Sequence, residues 1–299
     1  MTFIWRPQID VEKWDSLVAN TRQASIYNYS FFLDAVCENW CVYVDEDYSV
    51  GIAIPFTNKL QIKIVYTPNF LRHVDFLGEI NQENITSILV GIKNEFKSGD
   101  LSIGNQGYKI EGETRVHQQI SISNEISINT LSKRMLKKFE QSKLEISSNV
   151  ELEIVFSFLE TNLFQRIQGL SNSDFNVFKK LIIKLNDLQL LKKYEVFYSP
   201  NEMKGCGLFL QTNDKLIYLK GVATSDAMKE GAMYALLNHS IFFAKENNLV
   251  FDFGGSNIKS IKQFYSNLGG SDVTYCRIKW GTEPIFYRIA KYIYHYFRK

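Results

Sequence analysis

The residues with the clearest chemical potential lie in the last third of the chain. Asp252 alternates with Phe251 and Phe253, so its carboxylate is expected on the opposite face of a mostly apolar strand. A carboxylate in such surroundings has a raised pKa and can act as a general base. An equally simple interpretation, which we favour, is a structural pairing. Tyr265 follows on a predicted helix, and its phenol can serve as a general acid or simply pack at the sheet edge.

Cysteine and histidine give no sign of a metal site or a disulfide framework. Cys37 and Cys41 could share a helix face, but no nearby ligand completes a zinc site. We therefore expect buried, inert thiols and no metal. The histidines show no metal or triad spacing and are predicted to be packing or surface residues. The residues concerned are Cys37, Cys41, Cys206, Cys276, His73, His117, His239 and His295.

The elements that must position these residues can be predicted between residues 203 and 270. Two strands, 205–211 and 215–222, are joined by a short polar connection typical of an antiparallel hairpin. A helix follows, with apolar residues at the spacing of one face, and ends at Asn247-Asn248. The apolar run 249–253 predicts a buried strand, and Gly254-Gly255 ends it.

The segment Asn257-x-x-x-Ile261-x-x-Phe264-Tyr265-x-x-x-Gly269 resembles the closing motif of the GNAT acyl-CoA N-acyltransferase fold. The segment Asp252-Phe253-Gly254-Gly255-Ser256-Asn257 is similar to the corresponding segment in the FemAB-like branch of this fold. The resemblance implies an α/β protein of two tandem GNAT-like units, each a central, mostly antiparallel mixed sheet flanked by helices. It also implies that Tyr265 reaches the leaving sulfur, that Phe264 faces the core, and that Asn257 binds the cofactor arm. A simple helix cap remains the alternative for Asn257.

The same resemblance implies a donor site for acetyl-CoA or another acyl-CoA. The edge from Lys220 to Ala223, including Gly221 and Val222, would face the pantetheine arm of the donor. The amides of Lys229, Glu230, Gly231 and Ala232 would hold the pyrophosphate at a helix N-terminus. Of the family's phosphate signature only the central Gly231 is kept. That departure fits the FemAB-like branch, whose donor can be aminoacyl-tRNA, and it also fits a glycine that merely allows close packing.

The length of 299 residues predicts two domains, which we place at residues 1–127 and 128–299. The first unit has predicted helices at 10–15, 30–40 and 84–96, and strands at 41–44, 49–55, 61–66, 101–103 and 117–122. This element order is also the GNAT order. Because the first unit lacks a closing motif, we predict that it is a degenerate copy and that the donor site lies in the second unit.

Residues 128–145 are predicted to form a basic helix between the units, with Leu131, Met135 and Leu136 opposite its basic run. It would contact an anionic partner such as a nucleotide phosphate, a tRNA or a lipid-linked phosphate, or be a solvated charged face, which we favour slightly. Residues 284–299 mix aromatic and basic residues. They are expected to pack on the protein, with a membrane surface as the alternative.

Composition narrows the function further. The formal net charge of +2 gives no argument for DNA binding. No signal peptide or membrane span is evident, so we predict a cytoplasmic protein, with peripheral membrane contact left open. The sequence favours an N-acetyltransferase-like enzyme acting on a small-molecule or peptide-like amine. Two alternatives stay open: aminoacyl transfer from aminoacyl-tRNA to a cell-wall precursor, and a non-catalytic binding protein that kept the fold.

Overall fold

The computed structural model describes residues 1–59, 61–123, 127–165, 171–198, 202–255 and 258–281. The first part of the chain contains β1 (Thr2–Trp5), α1 (Val11–Asn20), α2 (Ser30–Val36), β2 (Asn39–Val44), β3 (Gly51–Lys59), β4 (Ile62–Tyr66), α3 (Gln82–Glu95), β5 (Gly99–Gly104) and β6 (Glu113–Ile120).

The remainder contains α4 (Thr130–Glu140), β7 (Leu144–Ser147), α5 (Leu152–Leu159), a π-helical turn (Glu160–Phe164), α6 (Asn172–Asp187), β8 (Leu191–Tyr198), β9 (Glu202–Gln211), β10 (Lys215–Ala223), α7 (Ser225–Lys229), α8 (Ala232–Glu246), β11 (Val250–Gly255), α9 (Lys259–Asn267) and β12 (Ser271–Trp280).

The chain forms two compact units. Unit 1 consists of Met1–Thr114 together with the segment that begins at Tyr275, and unit 2 consists of Arg115–Thr274. Most of β6 therefore belongs to unit 2, although it follows the strands of unit 1, and most of β12 belongs to unit 1. Each unit thus receives a strand from the other half of the sequence. The boundary that we placed between residues 127 and 128 stays a prediction.

In unit 1, β1, β2, β3 and β4 pair antiparallel in chain order, β4 pairs with β5 in parallel, and β5 pairs antiparallel with β12. Apolar side chains fill its core, among them the fully buried Trp14, Phe32, Phe76 and Phe96. Asp10 caps α1, as predicted, because its side chain accepts a hydrogen bond from the Lys13 amide.

In unit 2, β7, β8, β9 and β10 pair antiparallel in chain order, β10 pairs with β11 in parallel, and β11 pairs antiparallel with β6. One core joins this sheet to α8 and α9, where Phe251 and Phe253 of β11 pack with Leu236, Leu237 and Tyr265. The predicted fold class is confirmed: both units combine a mixed, mostly antiparallel sheet with helices.

One local prediction was wrong, and another was correct only in part. The helix predicted near 30–40 ends at Val36, because the chain turns extended at Cys37 and continues into β2 at Asn39. Cys41 therefore lies on a strand, and no helix face is shared with Cys37. In α4, Leu131 is 37% exposed, and the side chains turned inward are Ser132, Met135, Leu136 and Phe139.

Candidate active site of unit 2

The candidate site lies where two neighbouring strands of unit 2 separate. β10 and β11 pair in parallel through Lys215 with Val250, Leu216 with Phe251, and Ile217 with Asp252. β10 then runs on to Ala223 and β11 to Gly255, with no further ladder pairs between the described residues of these two strands. Gly254 of β11 still lies close to β10, because a Cβ there would be 2.8 Å from the Tyr218 carbonyl oxygen, so the strands separate beyond Tyr218. The predicted ligand-binding edge at Lys220–Ala223 lies on this part of β10, and its role stays a prediction.

The sheet of unit 2 presents different chemistry on its two faces. Phe251, Phe253 and Tyr218 point to the face covered by α8 and α9, which we call the core face. Asp252 alternates with the two phenylalanines, so it points to the opposite face, which we call the Asp252 face. The Asp252 face of the neighbouring strands also carries the buried apolar residues Leu208, Leu210 and Ile217, so Asp252 is a polar group on a largely apolar face.

Asp252 is held in a buried polar cluster. It is only 1% exposed. Its carboxylate accepts hydrogen bonds from the Gln119 side-chain amide at 2.9 Å and from the Gly254 backbone amide at 2.9 Å. The Nδ1 atom of His117 lies 3.4 Å from Asp252 Oδ1. The register explains the cluster, since Gln119 of β6 pairs directly with Asp252. Both the structural pairing and an acid–base role remain compatible with this arrangement.

Tyr265 lies in the core rather than at an exposed edge. Its ring stacks on Phe253 at a centroid distance of 4.8 Å and meets the edge of Tyr218 at 6.4 Å. Burial, with the negative charge of Asp252 as a second cause, raises the pKa of Tyr265 well above its usual range. The hydroxyl is therefore protonated at neutral pH and can donate a proton, but it is a weak acid. Phe264 is partly buried against the same core.

The predicted phosphate cradle is covered by α4. Gly231 joins α7 to α8 with a φ of +89°, and a Cβ there would collide with the carbonyl oxygen of Met135. Lys138 donates a hydrogen bond to the Lys229 carbonyl at 2.6 Å. The glycine is therefore explained by the close approach of α4, and a carbonyl oxygen occupies the space next to it.

The other predicted binding residues have varied surroundings. Ala232 is fully buried at the start of α8, whereas Lys229 is exposed and Glu230 is partly buried. Gly221 lies under the hydroxyl of Tyr218, which would be 2.6 Å from a Cβ at that position. Val222 pairs with Cys206 of β9, on the part of β10 that has no ladder pairs with β11. Asn257 lies outside the described residues, as does the predicted aromatic and basic segment 284–299.

Sequence reasoning missed His117 and Gln119. Both contact Asp252, yet they precede it by 135 and 133 residues, and β6 pairs with a strand from the other half of the sequence. The polar run His117-Gln118-Gln119 within a predicted strand was a usable signal for a polar strand face. It could not identify the partner strand.

Two features are absent from the described residues. No group of three or more His, Cys, Asp or Glu side chains is arranged to hold a metal ion. Among the same residues, no helix has the length and apolar character needed to cross a membrane. The expected cytoplasmic location stays a prediction.

The chain is similar to known proteins in its structure and not in its sequence. No protein-family model matches the sequence. No curated protein matches it either. Solved structures do: FemX superposes with a TM-score of 0.66 at 10% identity, covering 97% of this chain and 99% of FemX.

Two other solved structures are similar over nearly the whole chain. The C-terminal domain of a lysylphosphatidylglycerol synthetase from Agrobacterium fabrum has a TM-score of 0.54 at 12% identity, with 90% of this chain and 91% of that domain covered. A tandem GNAT protein from the clavulanic acid biosynthesis pathway has a TM-score of 0.51 at 8% identity, with coverages of 95% and 99%.

Proposed function

From this FemX-like fold of two GNAT-type units, we propose that the chain is a transferase that moves an acyl or aminoacyl group onto an amine. The observation that carries the proposal is the separation of β10 from β11, with Asp252 on one face and Tyr265 on the other. Positioning of two substrates in such an opening supplies much of the rate enhancement that acyl transfer needs.

The chemistry requires few groups. The amine nitrogen attacks the donor carbonyl carbon, the bond from that carbon to the leaving oxygen or sulfur breaks, and the nitrogen loses a proton. In our proposal the cluster of Asp252 and His117 receives that proton on its side of the sheet. Tyr265 donates a proton to the leaving atom from the core face and is reprotonated by solvent afterwards.

The surroundings of Tyr265 favour an oxygen leaving group. Burial raises the pKa of this phenol, which makes it a poor proton donor to a thiolate, because a thiol is much more acidic than a buried phenol. An alkoxide is far more basic and accepts such a proton readily. The raised pKa of Tyr265 thus supports an ester donor, such as the aminoacyl ester of a tRNA, over a thioester of CoA.

The contact between Gly231 and α4 supports the same choice. An acyl-CoA donor would need the amides at the start of α8 for its pyrophosphate, and the Met135 carbonyl lies against that turn. An aminoacyl-tRNA does not require this cradle. We therefore favour the aminoacyl ester and keep acyl-CoA as the second candidate, because the opening between the strands would suit either.

The basic side of α4 is a suitable contact for the phosphates of such an RNA. Lys133, Arg134 and Lys137 are exposed, and within the described ranges these side chains form no ion pair. Each phosphate contact of this kind strengthens binding and makes it salt-dependent. For the acceptor we propose a peptide-like amine, with a lipid-linked cell-wall precursor as one candidate and the cytoplasm as the place of reaction.

Donor binding can be measured by thermal unfolding of the whole protein. The ligands are a hydrolysis-resistant aminoacyl-RNA hairpin, the same hairpin without the amino acid, acetyl-CoA and free CoA. A ligand present at one hundred times its Kd stabilises the folded state by about 2.7 kcal/mol, which gives a clear shift of the midpoint.

The outcomes separate the candidates. Greater stabilisation by the aminoacyl-RNA than by the uncharged hairpin supports the proposal. If acetyl-CoA alone raises the unfolding midpoint, the donor is an acyl-CoA and not an aminoacyl-RNA. Absence of any shift at millimolar ligand would refute both and leave the non-catalytic binding protein.

A further inference from the structure

Lys220 lies on the Asp252 face of the β10 strand, beyond its last pair with β11. Tyr218 pairs with Phe209 and Lys220 pairs with Leu208, so β10 contains a bulge with one extra residue between them. Residues directly opposite each other in an antiparallel pair point to the same face. Leu208 and Leu210 are two residues apart on β9 and therefore point to the same face. Ile217 pairs with Leu210 and Lys220 pairs with Leu208, so Ile217 and Lys220 also share that face.

Ile217 also pairs with Asp252 in the parallel ladder, so Lys220 and Asp252 lie on the same face. The bulge has a direct effect on the chemistry of the opening. Without the extra residue, the lysine would point to the aromatic core face instead. The bulged strand turns this cation toward the Asp252 face, on the part of β10 beyond its last pair with β11.

The surroundings of Lys220 lack a negative charge. Its side chain is partly buried, and burial lowers the pKa of the ammonium with no carboxylate to oppose that effect. Two of the partly buried lysines of unit 2 have acidic partners: Lys204 contacts Glu202 and Asp226, and Lys193 contacts Glu195. In the part of the chain that the structure describes, Lys220 has no such ion pair.

Three ionisable groups besides Asp252 belong to the same face by register or contact. Lys193 pairs with Leu208 and therefore shares its face with Lys220, and Glu195 pairs with Cys206 in the adjacent row. Glu195 is fully buried and bonded to Lys193 at 3.2 Å. His117 is already engaged with Asp252. Glu195 contacts Lys193 through Oε1 and Asp252 contacts Gln119, Gly254 and His117, so neither carboxylate is bonded to Lys220, which retains capacity for an external anion.

We propose that Lys220 binds an anionic oxygen group, a carboxylate or a phosphate, on the amine acceptor. This inference rests on the proposed transferase function and names its acceptor class: an amine that also carries a negative charge. The acceptor would approach on the Asp252 face, where the Lys220 ammonium pairs with its anion and Asp252 with His117 receives the amine proton. An isolated, partly buried cation gains most from such a pairing, because the ligand supplies the missing counter-charge.

Trace acetylation with acetic anhydride, read by mass spectrometry, measures the reactivity of each lysine in the intact protein across pH. Lys215 lies on the same strand before the separation and is the internal reference. We expect Lys220 to reach half of its maximal reactivity at a lower pH than Lys215. Acetate, inorganic phosphate and chloride at equal ionic strength are the probes for protection.

Selective protection of Lys220 by acetate identifies a carboxylate, and selective protection by phosphate identifies a phosphate. At ten times the Kd of the probe, labelling of Lys220 should fall about tenfold while that of Lys215 is unchanged. Equal pH profiles for the two lysines, or protection by neither anion beyond the chloride control, would overturn the proposal.

Matched variants separate this inference from the proposed function. Lys220→Met should abolish the thermal stabilisation by the protecting anion, whereas Lys215→Met should retain it. Donor binding without any response of Lys220 refutes only the acceptor assignment. Anion protection of Lys220 in a protein that binds no donor refutes only the transferase function.

Discussion

Because Gly231 lies in close contact with α4, a methyl group added at this position should strongly lower the stability of the protein. Gly231 has a φ of +89°, and a Cβ there would lie 3.0 Å from the Met135 carbonyl carbon and still closer to its oxygen. The left-handed conformation costs an alanine about 1–2 kcal/mol. Forcing an extra carbon into a packed contact costs a further ~1–3 kcal/mol. We expect Gly231→Ala to lower the free energy of unfolding by about 2–5 kcal/mol.

Gly107 supplies the matched control. Its φ is +86°, and no atom lies within 4 Å of the position that a Cβ would occupy. Gly107→Ala therefore carries only the conformational cost of about 1–2 kcal/mol. Urea unfolding of both variants and the parent protein measures the difference. Equal losses for the two variants would show that α4 does not pack on Gly231 in solution. The start of α8 would then be open, which would restore acyl-CoA as the preferred donor.

Three further predictions concern side chains of unit 2. Tyr265→Phe keeps the stack on Phe253 and removes the hydroxyl, so transfer should slow by roughly 10²–10⁴-fold with little change in stability; an unchanged rate would exclude the acid role. Asp252→Asn replaces one carboxylate oxygen with an NH2 group, which cannot accept the hydrogen bond that this oxygen accepts. The substitution should lower the free energy of unfolding by about 1–3 kcal/mol; a neutral effect in urea unfolding would contradict the hydrogen bonds described. Burial raises the pKa of Glu195, so the folded state binds more protons than the unfolded state. The stability linked to Glu195 is therefore present below its unfolded pKa and lost as pH rises through its folded pKa. Glu195→Gln should flatten the pH dependence of unfolding in that window, and an unaltered slope would count against this assignment.

Local patterns were sufficient to predict much of the fold. The hairpin of β9 and β10, the helix α8 and the strand β11 follow from turn residues and apolar spacing, because these signals act over short stretches of sequence. The closing motif led to the GNAT fold, and the structural similarity to a tandem GNAT protein supports that fold. The end of α2 was missed because the apolar stripe of the helix continues without a break into the buried strand β2.

The candidate site was predictable only in part. Asp252 was found by its alternation with Phe251 and Phe253, but its contacts with Gln119 and His117 depend on pairing between distant segments. The orientation of Lys220 depends on a bulge, which shifts the alternation of side chains by one residue. Neither effect leaves a mark in local periodicity. The covering of Gly231 by α4 likewise requires tertiary packing to be known.

The exchange of strands has a consequence for how the protein is made on the ribosome. β5 acquires its neighbour β12 through contacts such as Arg277 with Asp100, a separation of 177 residues. At about 5–20 residues per second, translation of that interval takes roughly 9–35 s, during which the edge of β5 has no partner from β12. An exposed strand edge is a site for association with other chains. Nascent chains are therefore expected to need protection until Trp280 has left the ribosome.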